Sequence, residues 1–123
     1  MNRKRLGAFG EKIASGYLKK KGYGIVDQNY VAEWGGRQKG EIDIVAQKDN
    51  CISFIEVKTL TAKEGFLPED KVDARKRVQL VKLAQLWLVE KNISFESPWQ
   101  IDIISVEVDG KRAKVRHLEN VVC

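Results

Sequence analysis

Gly40-Glu41-Ile42-Asp43-Ile44-Val45 and Phe54-Ile55-Glu56-Val57-Lys58 decide the reading of this chain. Both have the β-branched and aromatic character of strands, and both carry charge inside an apolar run. Side chains alternate across a strand, so Glu41 shares a face with Asp43, and Glu56 shares one with Lys58. The polar stretch between them, with Lys48-Asp49-Asn50 at its centre, fits a tight hairpin. Pairing of the two strands then brings Asp43, Glu56 and Lys58 onto a common face. Two carboxylates and an amine converging on a sheet suit a hard divalent cation and a phosphodiester. The apolar flanks Ile42, Ile44, Val45, Phe54, Ile55 and Val57 place both strands centrally, where charge needs a purpose. A salt-bridged strand pair facing solvent is the competing explanation.

Outward from this hairpin the period of the pattern changes. Residues 6–21 read as an amphipathic helix with Phe9, Ile13, Ala14, Tyr17 and Leu18 on its apolar stripe, ended by Gly22 and Gly24. Glu11 lies at the border of that stripe and can lean toward the sheet. Residues 23–31 predict a first strand; residues 32–40, which include Arg37 and Lys39, predict a flexible loop. A second loop is expected over 60–70 and a long helix over 72–91. That helix carries Val72, Val81, Leu83, Ala84, Trp87 and Leu88 on its apolar side, and Arg75, Lys76, Gln79 and Lys82 on much of the other. A strand over 101–108, a turn signal at Asp109-Gly110 and a last strand near 113–118 complete the chain. His117, the only histidine, falls on this last strand, where no general-base role is expected. The order α-β-β-β-α-β-β predicts an α/β or α+β layer with helices covering a mixed central sheet.

Composition bounds the function. A chain of 123 residues predicts one domain spanning 1–123. The formal charge of +5 permits nucleic acid binding without requiring it. Basic clusters at Arg3-Lys4-Arg5, Lys19-Lys20-Lys21, Arg75-Lys76-Arg77 and Lys111-Arg112-Ala113-Lys114 read singly as solvated faces, and together as flanks of a phosphate-cutting site. Cys51 and Cys123 have no metal-ligand spacing, which argues against a disulfide framework or a thiolate zinc site. With no apolar run of signal-peptide or membrane-spanning length, the expectation is a cytoplasmic protein without a membrane partner. There is no glycine-rich phosphate loop, nucleophile elbow or His-Glu zinc helix, so the corresponding enzyme classes drop out.

Placing Asp43 and Glu56 together destabilises the fold unless a cation sits between them. Magnesium fits, because it takes oxygen ligands from one or two carboxylates and keeps its waters, and the backbone carbonyl of Val57 offers a further ligand. Lys58 would then hold the attacking water or neutralise charge on the phosphate.

Asp43, a spacer, and Glu56-Val57-Lys58 together resemble the Asp…(Asp/Glu)-X-Lys motif of the PD-(D/E)XK nuclease superfamily. More narrowly, the chain resembles the small bacterial YraN-like family, related to archaeal Holliday-junction resolvases. The resemblance runs through Gly10-Glu11, Gly22-Tyr23, Asn29-Tyr30, Gly40-Glu41-Ile42-Asp43, Phe54–Thr59, Lys76, Ile101-Asp102-Ile103 and His117-Leu118-Glu119-Asn120. It implies a restriction-endonuclease-like α-β-β-β-α-β core and phosphodiester cleavage dependent on Mg2+ or Mn2+. It assigns metal binding to Asp43 and Glu56, the catalytic lysine role to Lys58, and the acid of the first helix to Glu11, as both metal ligand and catalytic group. Resolvase-like relatives imply a homodimer. Ile42 stands where the superfamily name has proline, and Leu60 where the family usually shows arginine. The expectation is an endonuclease acting on DNA, branched or damaged, contacted by Arg75, Lys76, Arg77, Arg37 and Lys39. A non-catalytic nucleic-acid-binding module and a structural partner protein are the alternatives.

Overall fold

The computed structural model describes residues 2–34, 36–61 and 74–122. Its elements are α1 (Arg3–Lys20), β1 (Gly24–Trp34), β2 (Arg37–Lys48), β3 (Cys51–Thr61), α2 (Ala74–Glu90), β4 (Trp99–Asp109) and β5 (Arg112–Leu118). Asp49 and Asn50, both at left-handed φ (50° and 67°), close a two-residue turn between the paired residues Lys48 and Cys51. Such a turn matches the twist of the strands it joins, and Asp and Asn tolerate its backbone angles. The five strands form one sheet in the order β1-β2-β3-β4-β5. All neighbours are antiparallel except β3 and β4, whose parallel pairing requires the crossover that α2 supplies. The charged segments therefore do lie on interior strands.

Each helix covers one face. Against α2 pack Ile42, Val45, Ile52, Phe54 and Ile101, joined by Leu80, Leu83, Ala84, Trp87 and Leu88 of the helix. Against α1 pack Ile44, Ala46, Ile55, Ile104 and Val106, joined by Ala14 and Leu18. The α1 helix starts earlier than its periodicity suggests, because the Asn2 side chain accepts from the Arg5 amide and caps the first turn. Its buried line is Leu6, Gly10, Ala14 and Leu18, and Phe9 is 38 % exposed instead of lying on the apolar stripe. Gly10 is the reason: a Cβ there would overlap the Thr59 side chain, so α1 meets β3 along a line on which Phe9 does not fall.

Three other expectations change. The predicted loop over 32–40 belongs mostly to a hairpin, with Trp34 paired to Arg37 and Gly36 at φ +75° in the turn. Leu60 is a buried strand residue, because pairing with β4 carries β3 on to Thr61↔Val108; residues 62–70 of the expected second loop lie outside the described residues, as does Val72. Lys76 and Gln79 of α2 do not point away from the sheet. Lys76 bonds Glu56 on β3, and Gln79 packs on Gly40 of β2, whose φ of +123° and missing side chain make the room. No helix of the described residues is long and apolar enough to cross a membrane.

Candidate metal centre

Strict alternation would put Ile42 and Ile44 on the same face, but Ile42 packs with α2 and Ile44 with α1. The alternation therefore slips between them, at Asp43. The opposite strand slips too. Asn29 lies across from Asp43, between the pairs Gln28↔Ile44 and Tyr30↔Ile42, and its φ is +51°. Asparagine tolerates this left-handed backbone, and its side chain donates to Glu11 Oε1 at 2.8 Å. The pairing of β2 with β3 covers Lys48↔Cys51 to Ile44↔Ile55; one residue further on, Asp43 Oδ2 accepts the Val57 amide at 2.7 Å. A side chain thus takes an N–H on the central strand, and that bond holds the carboxylate between β2 and β3.

This arrangement gathers carboxylates. Oxygens of Glu11, Glu41 and Asp43 all lie within 4.8 Å of one another. Asp43 is 6 % exposed, and its pKa is pushed up to about 8. Burial is the largest cause; the Val57 amide opposes it, while the Glu56 charge, a hydrogen bond with Glu41 and the Glu11 charge push the same way as burial. An all-oxygen set with one deeply buried acid is what a hard divalent cation relieves, so these side chains fit magnesium or manganese.

Glu56 and Lys58 stand beside the acids. The buried Glu56 carboxylate is 3.0 Å from Lys76 Nζ and 3.8 Å from Lys58 Nζ. The Lys58 side chain remains 40 % exposed, so its ammonium can reach a bound anion. The structure thus brings Glu11, Asp43, Val57, Glu56 and Lys58 into one neighbourhood, but not onto the one face expected: Asp43 turns to Glu11 on the α1 side, whereas Glu56 bonds Lys76 on the α2 side. Glu56 engages two lysines, and Glu41 completes the close acidic group.

Of the basic residues, Lys76 belongs to this neighbourhood, Arg75 is exposed on the first turn of α2, and Arg77 is half-buried. Arg37 is exposed at the tip of the β1–β2 hairpin; the Lys39 side chain lies outside the described residues. Chain direction places the starts of α1 and α2, this hairpin tip and the β4–β5 turn at the same end of the sheet as Lys58. Lys19-Lys20-Lys21 is at the opposite end, where α1 hands over to β1, so that cluster does not flank the acids. A groove of about 520 Å3, lined by Glu11, Lys12, Ser15, Lys19, Gln28 and Asn29, runs along α1 beside them.

Sequence reasoning leaves parts of this arrangement unread. Glu41 had no role, and the inward direction of Lys76 and Gln79 contradicted the polar face on which they were placed. Asn29 enters only through the family resemblance, and its local sequence gives no sign of the contact with Glu11. His117, for which no general-base role is expected, has a side chain only 7 % exposed, and its Nε2 is 2.8 Å from Oδ2 of the fully buried Asp102. The signal for that pair was visible: Asp102 sits inside Ile101-Asp102-Ile103-Ile104, the same charge-in-an-apolar-run pattern as Asp43.

Comparison with known proteins bears on the whole arrangement. Residues 10–106 match the model of a family described as "Uncharacterised protein family UPF0102". A UPF0102 protein of Caldanaerobacter subterraneus subsp. tengcongensis is 39 % identical, covering 98 % of this chain and 96 % of its own. One from Alkaliphilus oremlandii is 37 % identical, covering 95 % and 97 % respectively. A third, from Syntrophomonas wolfei, is 38 % identical with 98 % of both chains covered.

Proposed function

The chain belongs to the UPF0102 family, and from that premise we propose that it is a magnesium- or manganese-dependent endonuclease of the PD-(D/E)XK type, hydrolysing phosphodiester bonds in DNA. One observation carries the reading. The buried Asp43 carboxylate is held between two interior strands by the Val57 amide, with Glu11 and Glu41 in metal-ligand reach and a Glu56–Lys58–Lys76 group alongside. A structural ion-pair network would neutralise Asp43 with a cationic side chain; here burial, with the neighbouring carboxyls adding to it, holds the proton on instead.

Asp43, Glu11 and Glu41 would hold the cation, with Glu56 and the Val57 carbonyl adjacent. When bound, that cation supplies Lewis-acid polarisation of the scissile phosphate and a more acidic water. Lys58 contributes a point charge for the developing negative charge on the phosphate, and Glu56 keeps that ammonium in place. Asn29 anchors Glu11 through Oε1, which would leave its other oxygen for a cation. The basic groups at the same end of the sheet, Arg75, Arg37 and the starts of α1 and β5, support DNA as the partner.

The test is cleavage of labelled branched, nicked, single-stranded and duplex DNA with magnesium or manganese, comparing wild type with Asp43→Asn and Lys58→Met. Cutting by wild type that both variants lose supports the reading. Salt-sensitive DNA binding with no cutting of any substrate, under either metal, would replace it with a non-catalytic binding module.

A further inference from the structure

The nuclease reading leaves a second set of ligand-type side chains unused. We propose that Asp102, His117 and Glu119 form a separate site for a transition-metal cation of the zinc class. One donor atom from each lies within 4.8 Å of the other two. Tetrahedral zinc, with bonds of about 2.0–2.2 Å, sets neighbouring donors about 3.4 Å apart, so small side-chain shifts close the set around a cation.

The 2.8 Å contact between His117 Nε2 and Asp102 Oδ2 has a definite meaning. With Asp102 as a carboxylate, which only accepts, the contact requires the ring proton on Nε2, in the place between the two ligands. A cation displaces it, as metals do when they bind histidine. The supporting contacts are already in place. Gln100 Nε2 and the Asn120 amide both donate to Asp102 Oδ1 at 2.9 Å, which leaves Oδ2 for the metal. The Tyr17 hydroxyl meets His117 Nδ1 at 3.2 Å and orients the ring from its far side.

The local field is negative. Burial, and after it the charges of Glu119 and Asp102, hold the protons of Tyr17, Tyr23 and Cys51 on more tightly. A cavity of about 240 Å3, lined by Tyr23, Lys48, Cys51, Ser53, Gln100 and Glu119 among others, opens beside the group and leaves room for a further ligand. Lys48 on its wall lies over the Tyr23 ring at 5.2 Å. One imidazole with two carboxylates selects zinc over magnesium, which separates this site from the all-oxygen group at Asp43.

His117 is the only histidine of the chain, so imidazole NMR of the untagged, EDTA-stripped protein reports on this site alone. Zinc is titrated in with millimolar magnesium present. The metal-free ring is expected as the Nε2–H tautomer. Zinc should convert it in slow exchange to the Nδ1–H tautomer, now donating to Tyr17, at one zinc per chain by calorimetry. Glu119 is exposed, so Glu119→Gln folds, and it should weaken zinc at least about tenfold. Asp43→Asn should leave zinc affinity unchanged, which keeps this test apart from the fate of the nuclease reading. An imidazole spectrum unmoved by saturating zinc, an affinity unaltered by Glu119→Gln, or zinc binding lost in Asp43→Asn would each overturn the proposal. The Tyr17–His117–Asp102 chain would then be a purely structural hydrogen-bond network.

Discussion

Replacing Asp43 by asparagine should make the metal-free protein more stable. Asparagine has nearly the same shape, and its Oδ1 still accepts the Val57 amide, but it does not ionise. Burial, with the neighbouring carboxyls adding to it, pushes the Asp43 pKa up from the ordinary 3.8 to about 8. A carboxyl whose folded value is raised costs stability as pH climbs. The cost begins where the unfolded chain ionises, near pH 4, grows by about 1.4 kcal/mol per pH unit, and levels off near pH 8. At pH 7 the ceiling is about 4 kcal/mol. Relaxation of Glu11 and Glu41, which share the repulsion, brings the expected difference to about 2–3 kcal/mol. That corresponds to a rise in Tm of roughly 10 °C for a chain of this size.

Urea unfolding from pH 4 to 8 in EDTA, followed by circular dichroism, measures it. The variant's advantage should be near zero at pH 4 and greatest at pH 8. Manganese a thousandfold above its Kd should then reverse the order, because only the wild type gains binding free energy, about 4.1 kcal/mol. A variant less stable than wild type at pH 7 in EDTA, or a difference that does not vary with pH, would refute the argument that Asp43 is held in a carboxyl-rich, desolvated site.

Gly10→Ala should destabilise by about 1–3 kcal/mol, because the new methyl group overlaps the Thr59 side chain and pushes α1, and Glu11 with it, off β3. Adding Thr59→Gly should recover part of that loss in a double-mutant cycle; purely additive effects would mean that the close approach is not the cause. Trp87→Phe should cost about 1–3 kcal/mol by removing the indole N–H bonded to Asp27 Oδ2 at 2.9 Å, together with part of the edge-on contact with Phe54. Denaturation curves within about 0.5 kcal/mol of wild type would show that this bond contributes little.

Much of the architecture was legible because local patterns carry it. The Asp49-Asn50 turn, the apolar runs of β2, β3 and β4, and the stripe Leu83-Ala84-Trp87-Leu88 depend on near neighbours, and they yielded the element order and the interior position of the charged strands. The 32–40 segment was misread because its glycines and charges look like a loop. At a hairpin tip the same residues face water and still pair. Lys76 was placed on a solvated face because helical periodicity reports only which side is apolar. A lysine at the border of that side can turn to a buried carboxylate, and Glu56 is twenty residues away in sequence.

By itself, the sequence determined that two interior strands carry Asp43, Glu56 and Lys58 in a hairpin under two helices, because strand alternation and turn chemistry are local. Only the tertiary structure decided which carboxylates meet. The alternation slips at Asn29 and Asp43, and that slip turns Asp43 toward α1 and into the company of Glu11 and Glu41. It likewise decided that His117 of an edge strand closes on Asp102. Such meetings depend on register and on packing between segments far apart in the chain, and the periodicity of a single segment does not encode them.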